Sequence, residues 1–119
     1  MAIPKKNRLT AKDDFRRLFE KGKTVRNSFF FIKYLVSNRE FARWGIAVPV
    51  KVSKKSVDRN RIKRKISEVL KSFVNLPLDA VITATPIILE KSFAEIKSQI
   101  EKEIEKLSVN PVRERELEK

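Results

Sequence analysis

Residues 51–73 read KVSKKSVDRNRIKRKISEVLKSF, and the pattern of this stretch specifies the central helix of the chain. At 100° per residue five of its apolar side chains fall within about 100° of arc, so they form one stripe that a core can cover. The members of the stripe are Ile62, Ile66, Val69, Leu70 and Phe73. With Ser56 as a candidate N-cap, the pattern predicts an amphipathic helix that follows a basic loop.

The side of this helix that faces away from the stripe is crowded with cations. Arg59 begins this basic run, Asn60, Arg61 and Arg64 point away from the stripe as Lys71 does, and Lys63 and Lys65 lie on the flanks. A solvated basic face is the simpler interpretation of an arbitrary charge run. Here five like charges at close quarters repel each other unless a polyanion screens them, and the helix N-terminus adds positive potential. The crowding therefore favours a surface that contacts nucleic-acid phosphates.

Positive charge is concentrated in the first 71 residues. The chain carries 28 Lys and Arg against 15 Asp and Glu, a net charge of +13, whereas residues 72–119 hold more acids than bases. A polyanion is the natural partner of such a chain. The chain has neither Cys nor His, which excludes thiolate zinc sites, Cys nucleophiles and His general bases. We therefore expect a binding protein that holds no metal and no catalytic residue of its own.

The length of 119 residues predicts one domain. We expect a single RNA-binding α+β domain over residues 1–107 and a charged, disordered tail over residues 108–119. The longest uncharged stretch, residues 80–89, is far shorter than the roughly 20 residues that span a bilayer. The sequence therefore predicts a cytoplasmic chain without a membrane partner.

Two further helices are predicted outside the central one. The first lies between Thr10 as N-cap and Gly22 as a stop signal. The other begins at a capping box formed by Ser92 and Glu95. Its apolar stripe consists of Phe93, Ile96, Ile100, Ile104 and Leu107.

Four short strands complete the prediction. Residues 23–36 form two strands with a break at residues 27–28, and residues 44–48 and 79–85 form the third and fourth. The order is helix, three strands, helix, strand, helix (αβββαβα), which predicts an α+β sandwich with helices packed on a four-stranded sheet. The default hand of the strand–helix–strand crossover is right.

Aromatic residues define a second candidate surface. Phe29, Phe31 and Lys33 alternate along one predicted strand and would share one face of the sheet. Phe15 and Phe19 lie one turn apart on the first helix, a pair that is usually core. Aromatic rings beside a lysine also form a stacking surface for unpaired bases. Both interpretations remain open, namely core packing and a groove for a single strand.

Residues 54–64, KKSVDRNRIKR, resemble the signature of the bacterial ribonuclease P protein subunit. The resemblance covers about residues 5–107. It extends to Asn7, Arg8 and Leu9, to Asp14, Phe15 and Phe19 ahead of Gly22, to Arg43 and Gly45, and to Asp79.

The resemblance implies a function in the processing of precursor tRNA. Members of that family bind a large catalytic RNA, and the complex removes the 5′ leader to form the mature tRNA 5′ end. Magnesium ions are held mainly by the RNA, no further protein partner is required, and the fold is an αβββαβα sandwich with a left-handed crossover. The chain would then be a subunit of an enzyme whose chemistry belongs to RNA and metal.

The resemblance also implies site residues. The residues that would contact the catalytic RNA are Arg59, Asn60, Arg61, Lys63, Arg64 and Lys65. The residues that would line the leader groove are Phe15, Phe19, Phe29, Phe31 and Lys33, with Lys51, Lys54 and Lys55 nearby. Further basic candidates are Arg8, Lys12 and Arg43. Two alternatives stay open at this point, a structural ribosomal or other non-catalytic RNA-binding protein and a protein-only nuclease.

Overall fold

A computed structural model describes residues 3–107 and contains a four-stranded sheet with three helices. The helices are α1 (Lys12–Lys21), α2 (Ser56–Leu70) and α3 (Phe93–Lys106). The strands are β1 (Lys23–Arg26), β2 (Phe30–Val36), β3 (Arg43–Ala47) and β4 (Leu78–Ala84). The predicted αβββαβα order and the α+β class are confirmed, with strand bounds within one residue for β3 and β4. The predicted tail, residues 108–119, lies outside the described residues.

The sheet has the strand order β1-β2-β4-β3. β2 pairs with β1 and with β4 in antiparallel fashion, whereas β3 and β4 are parallel and are joined through α2. A parallel pair requires such a crossover, because the chain must return to the same end of the sheet before the second strand begins. β4 has a neighbouring strand on each side and is buried along nearly its whole length.

α2 and α3 pack on one face of the sheet and form the larger core. Side chains at alternate positions of the strands, such as Ile32, Trp44 and Ile82, meet the apolar stripes of both helices there. Trp44 is 2% exposed, and its indole Nε1 donates to the carbonyl of Phe73 at 3.0 Å. Two residues of the predicted apolar stripes are less buried than the prediction requires. Phe73 is half-buried in a 3-10 turn after α2, and Phe93 is 42% exposed at the start of α3.

α1 packs on the opposite face over a smaller cluster. Leu18 is fully buried against Leu9 and Val81, with Phe15 at the edge of the cluster. The ring of Phe15 rests on β3, because a Cβ added at Gly45 would lie 3.1 Å from its Cε1 atom. The helix ends at Gly22, where a Cβ would lie 2.4 Å from the Leu18 carbonyl oxygen, so this close approach requires glycine.

Helix starts were predicted with mixed success. The capping box of Ser92 and Glu95 is present, with hydrogen bonds of 3.2 and 3.1 Å. The N-cap of α1 is Ala11 rather than Thr10, and the N-cap of α2 is Lys55 because Ser56 is already helical. A side-chain hydroxyl beside a helix start is therefore a weaker signal than the reciprocal pair of a capping box.

Candidate nucleic-acid interface

The outer face of α2 presents polar side chains to solvent. Asn60, Arg61 and Arg64 are exposed, while Lys63 and Lys65 are half-buried on the flanks of the helix. The apolar stripe is buried on the other side, with Ile66 and Leu70 fully buried. Because this stripe is anchored in the core, α2 holds a row of polar and basic side chains at the protein surface.

Arg59 differs from the other basic residues of α2. Its Nη1 atom donates to the carbonyl of Ser53 at 2.8 Å, and the side chain is half-buried. Asp58 accepts a 3.0 Å hydrogen bond from the Ser53 hydroxyl, which in turn accepts from the backbone N–H of Lys55 at 3.2 Å. Arg59 and Asp58 thus hold the loop that precedes the helix.

That loop carries three lysines at the end of the sheet where β3 ends. Lys51, Lys54 and Lys55 are all exposed, whereas Val52 is 5% exposed and anchors the loop in the larger core. The loop is therefore positioned by one apolar residue and by the hydrogen bonds of Ser53. Its lysines form a basic margin that leads up to the start of α2.

One flank of α1 and the sheet face beside it carry aromatic and basic side chains, and we call this surface the groove. Phe19 is 51% exposed, Phe15 is half-buried, and Lys33 of β2 reaches across toward α1. The Lys33 Nζ atom donates to the carbonyl oxygen of Phe19 at 3.2 Å and lies 5.5 Å from the centroid of the Phe19 ring. Phe31 is half-buried two residues before Lys33 on the same face. Phe15, Phe19, Phe31 and Lys33 therefore lie on the same side of the sheet, and their role in binding a single strand stays a prediction.

Phe29 does not share this face, and that part of the prediction is wrong. The Asn27 Oδ1 atom accepts hydrogen bonds from the backbone N–H groups of Phe29 (2.8 Å) and Phe30 (3.1 Å). This Asx turn bends the chain, so β2 begins only at Phe30 and the alternation does not extend back to Phe29. Phe29 instead packs against the larger core, with the Lys91 Nζ atom 5.3 Å from its ring centroid.

Arg43, one of the further basic candidates, is engaged within the protein. Its Nε and Nη2 atoms donate to the two carboxylate oxygens of Asp79 at 2.9 and 2.8 Å, and its Nη1 atom donates to Asp14 at 3.0 Å. The hydrogen bond to Asp79 raises the pKa of Arg43 above its ordinary value. Of the other basic candidates, Lys12 is exposed, and Arg8 is half-buried with its Nε atom donating to the carbonyl of Ile3 at 3.0 Å.

Asp79 is the centre of a cluster that sequence reasoning missed. It is 2% exposed and also accepts hydrogen bonds from Arg39 and, at 3.2 Å, from Arg17. Burial raises the pKa of a carboxyl group, yet the hydrogen bonds from Arg43 and Arg39 hold the pKa of Asp79 below its usual range. The partners lie up to 62 positions apart in sequence, so no local signal could have joined them.

The described residues offer few ligands for a metal ion. Within residues 3–107 there is no group of three or more Asp, Glu, His or Cys side chains that could hold one. The two acids that do converge, Asp14 and Asp79, face guanidinium groups instead. In the same part of the chain, no helix is long and apolar enough to cross a membrane.

Comparison with known proteins decides between the open interpretations. The family model described as Ribonuclease P matches residues 3–108. The chain belongs to the ribonuclease P protein family. The ribonuclease P protein component of Pseudanabaena is 31% identical over 111 residues, which cover 90% of this chain and 96% of that protein. That of Legionella pneumophila (strain Corby) is 35% identical over 108 residues, covering 90% and 94%.

Solved structures of ribonuclease P proteins share the fold. The Staphylococcus aureus protein matches with a TM-score of 0.76 and 27% identity over 87% of this chain and 96% of that chain. The Thermotoga maritima protein matches with a TM-score of 0.75, 22% identity and coverage of 85% and 97%, which shows the fold alone. As a ribonuclease P protein, the chain takes part in a tRNA-processing ribonuclease, and its partner is the ribonuclease P RNA. A ribosomal protein and a protein-only nuclease are no longer favoured.

Proposed function

We propose that the basic face of α2 binds the large ribonuclease P RNA while the groove beside α1 binds the 5′ leader of precursor tRNA. The observation that carries this proposal is the placement of the two surfaces. α2 packs on one face of the sheet, and the groove of Phe19 and Lys33 lies on the other. One rigid domain can therefore hold two RNA molecules at once.

The groove has the chemistry of a single-strand site. A half-exposed phenylalanine ring offers a face for base stacking, worth about 1 to 3 kcal/mol per base. Lys33 lies beside the Phe19 ring and can pair with a phosphate of the same strand. Neither group reads a particular base edge, so the groove suits leaders of varied sequence.

The exposed loop lysines extend this path toward α2. Lys51, Lys54 and Lys55 precede the helix whose face is proposed to bind the large RNA. Phosphate contacts of this kind position an RNA without reading its sequence. We assign these lysines to the region where leader and large RNA approach each other.

Cleavage itself is assigned to the RNA and its magnesium ions. The chain has no His or Cys, and the carboxylates of Asp14 and Asp79 are occupied by arginines. Magnesium held by RNA supplies activation of water and neutralisation of charge at the scissile phosphodiester. The residues of this chain bind and orient the two RNA molecules, and a cytoplasmic location remains a prediction.

The test is cleavage of precursor tRNA at low magnesium concentration. The chain and the cognate large RNA are assayed separately and together, with a substrate that has a leader of several nucleotides and one that has a single leader nucleotide. We expect strong stimulation only when both components are present, and a larger gain for the longer leader. Equal stimulation of both substrates would contradict the leader assignment, and cleavage by the chain alone would contradict the assignment of catalysis to RNA.

A further inference from the structure

The strand register places four side chains in one row across the sheet face that carries the groove. The members of the row are Arg26 of β1, Phe31 of β2, Thr83 of β4 and Ala47 of β3, which are register partners from one strand to the next. Register partners point to the same face of a sheet. Phe31 faces the α1 side, because both of its neighbours in β2 are fully buried in the larger core. The whole row therefore lies on the groove side.

α1 leaves this row uncovered. The members on β2, β4 and β3 are half-buried, and Arg26 is exposed. In the adjacent row of the same face, Val81 and Gly45 are buried, where they contact Leu18 and Phe15 of α1. The first row is therefore the open floor of the groove beside the helix.

The two ends of this floor differ in what lies beyond them. Ala47 is the last residue of β3 and leads into the Lys51–Lys55 loop, next to the α2 face that is proposed to bind the large RNA. Arg26 is the last residue of β1, the edge strand on the other side of the sheet. With a spacing of about 4.8 Å between strands, the floor is about 14 Å long. A single strand that crosses it from the large RNA ends at Arg26.

The fold holds the backbone of Arg26 in place and leaves its charge unused. Arg26 pairs with Phe31, and the backbone N–H of the next residue, Asn27, donates to the carbonyl of Phe30 at 2.9 Å and closes the hairpin. The Arg26 guanidinium has no carboxylate or hydrogen-bond partner among residues 3–107. Cβ atoms of such a cross-strand pair lie about 5 Å apart, so the guanidinium begins beside the Phe31 ring. Its five donors in a planar fork suit a phosphate group.

The other cation of β1 lies on the opposite face of the sheet. Val25 packs against the larger core and marks the face that α2 and α3 cover. Because side chains alternate along a strand, Lys23 shares that face with Val25, whereas Thr24 and Arg26 share the groove face. Both cations are exposed, yet only Arg26 borders the groove.

We propose that Arg26 binds a backbone phosphate of the 5′ leader at the end of the groove remote from the Lys51–Lys55 loop. The proposal rests on the proposed function of the groove and gives the leader a path and a direction. The 3′ end of the leader adjoins the cleavage site, so the leader crosses β3, β4 and β2 in turn and its 5′ part reaches β1. A phosphate contact reads no base edge, so Arg26 favours longer leaders of any sequence.

The experiment measures the affinity of the reconstituted complex for precursor tRNA with leaders of one to ten nucleotides at several salt concentrations. Arg26→Gln removes the cation at the end of the groove. Lys23→Gln is the matched control, because it removes one charge from the opposite face of the same strand. Both side chains are exposed, so thermal melts of the two variants should match that of the wild type.

We expect the wild-type affinity to rise as the leader lengthens toward Arg26. Arg26→Gln should bind long leaders about fivefold more weakly and a single-nucleotide leader as tightly as the wild type. For long leaders, the slope of log K against log salt should fall by about 0.7 in this variant, the value for one phosphate of a single strand. Lys23→Gln should follow the wild type at every length.

Other results would overturn the proposal at one of two levels. Equal weakening of Arg26→Gln at every leader length, an equal loss in Lys23→Gln, or unchanged binding of long leaders by Arg26→Gln would overturn the Arg26 site and leave the groove assignment standing. A wild-type affinity that never rises with leader length would overturn the groove assignment, and the Arg26 site with it.

Neutral methylphosphonate linkages, placed at each leader position in turn, locate the phosphate. One linkage should weaken binding to the wild type by about fivefold and have no further effect in Arg26→Gln. The linkage that couples to Lys51→Gln in the same manner should lie nearer to the cleavage site. Coupling of Arg26 to no linkage, or to one nearer to the cleavage site than that of Lys51, would overturn the proposed path.

Discussion

The α2 face and the cluster around Asp79 use the same kind of side chain in opposite ways. Arg61 and Arg64 lie on an exposed helix face, and neither pairs with a carboxylate among residues 3–107. Arg43 is directed inward and binds both Asp79 and Asp14. An arginine is therefore available to RNA only where folding leaves it without an acid, and sequence alone does not reveal which arginines these are.

The largest effect is expected from removing the acid of the cluster. Asp79→Asn leaves the guanidinium of Arg43 without its main partner in a largely buried position. We expect the free energy of unfolding to fall by about 3 kcal/mol, measured as the urea midpoint. Asp13→Asn, an exposed acid on α1, is the control and should change stability by less than about 0.5 kcal/mol. A loss below about 1 kcal/mol for Asp79→Asn would show that the cluster is not structural.

The same cluster predicts how stability depends on pH. The folded-state pKa of Asp79 is depressed, so its contribution is fully present above the unfolded-state pKa of about 3.9 and is lost as pH falls through the folded pKa. Urea midpoints measured between pH 6 and pH 2 should therefore drop more steeply in the wild type than in Asp79→Asn. Parallel curves would contradict the pairing.

The α2 face should show the reverse pattern, with a binding defect and no loss of stability. Arg61→Ala combined with Arg64→Ala is expected to weaken binding of the large RNA by about 2 kcal/mol. The slope of log K against log salt should fall by about 1 for each phosphate that the variant no longer neutralises. Lys97→Ala with Lys102→Ala on α3 is the matched control. Unchanged RNA affinity, or a stability loss comparable to that of Asp79→Asn, would remove the distinction between the two regions.

Phe15 and Phe19 show, within one helix, the same contrast between a side chain that stabilises the fold and one that is exposed for binding. Phe19→Ala should change stability by less than about 1 kcal/mol, since its ring is half exposed, yet reduce the preference for leader-bearing substrate by about tenfold. Phe15→Ala should instead cost about 2 kcal/mol in a thermal melt, because its ring packs on Gly45. Equal melting and equal substrate preference for the two variants would show that the groove is not divided in this way.

The features that sequence predicted depend on near neighbours in the chain. The stripe from Ile62 to Leu70 and the capping box of Ser92 are set by contacts within a few residues, so their periodicity or pairing was visible. The position of Phe29 depended on a turn at Asn27, which shifted the start of β2 and ended the alternation. A hydrogen bond from an amide side chain to the backbone competes with strand pairing, and composition does not reveal which one wins.

Only the part of the candidate site that depends on near neighbours in the chain was predictable. Helical spacing predicted that Arg61 and Arg64 point away from the apolar stripe, and both are exposed. The hydrogen bond from Arg59 to the Ser53 carbonyl was not predictable in this way. Arg39 and Arg43 are paired inside the protein because they donate hydrogen bonds to Asp79, which lies 40 and 36 positions away in sequence. Such contacts exist only after the sheet has formed, and they separate arginines that are paired inside the protein from those that stay exposed.

The surface that meets the large RNA can be mapped directly because the chain has no cysteine of its own. Single-cysteine variants Ser56→Cys, at the exposed start of α2, and Ser98→Cys, on the exposed side of α3, each carry a tethered iron chelate that cleaves nearby RNA. In the assembled complex, we expect strong, localised cuts in the large RNA from position 56 and background cutting from position 98. Equal cutting from both positions, or stronger cutting from position 98, would contradict the assignment of the α2 face to the RNA.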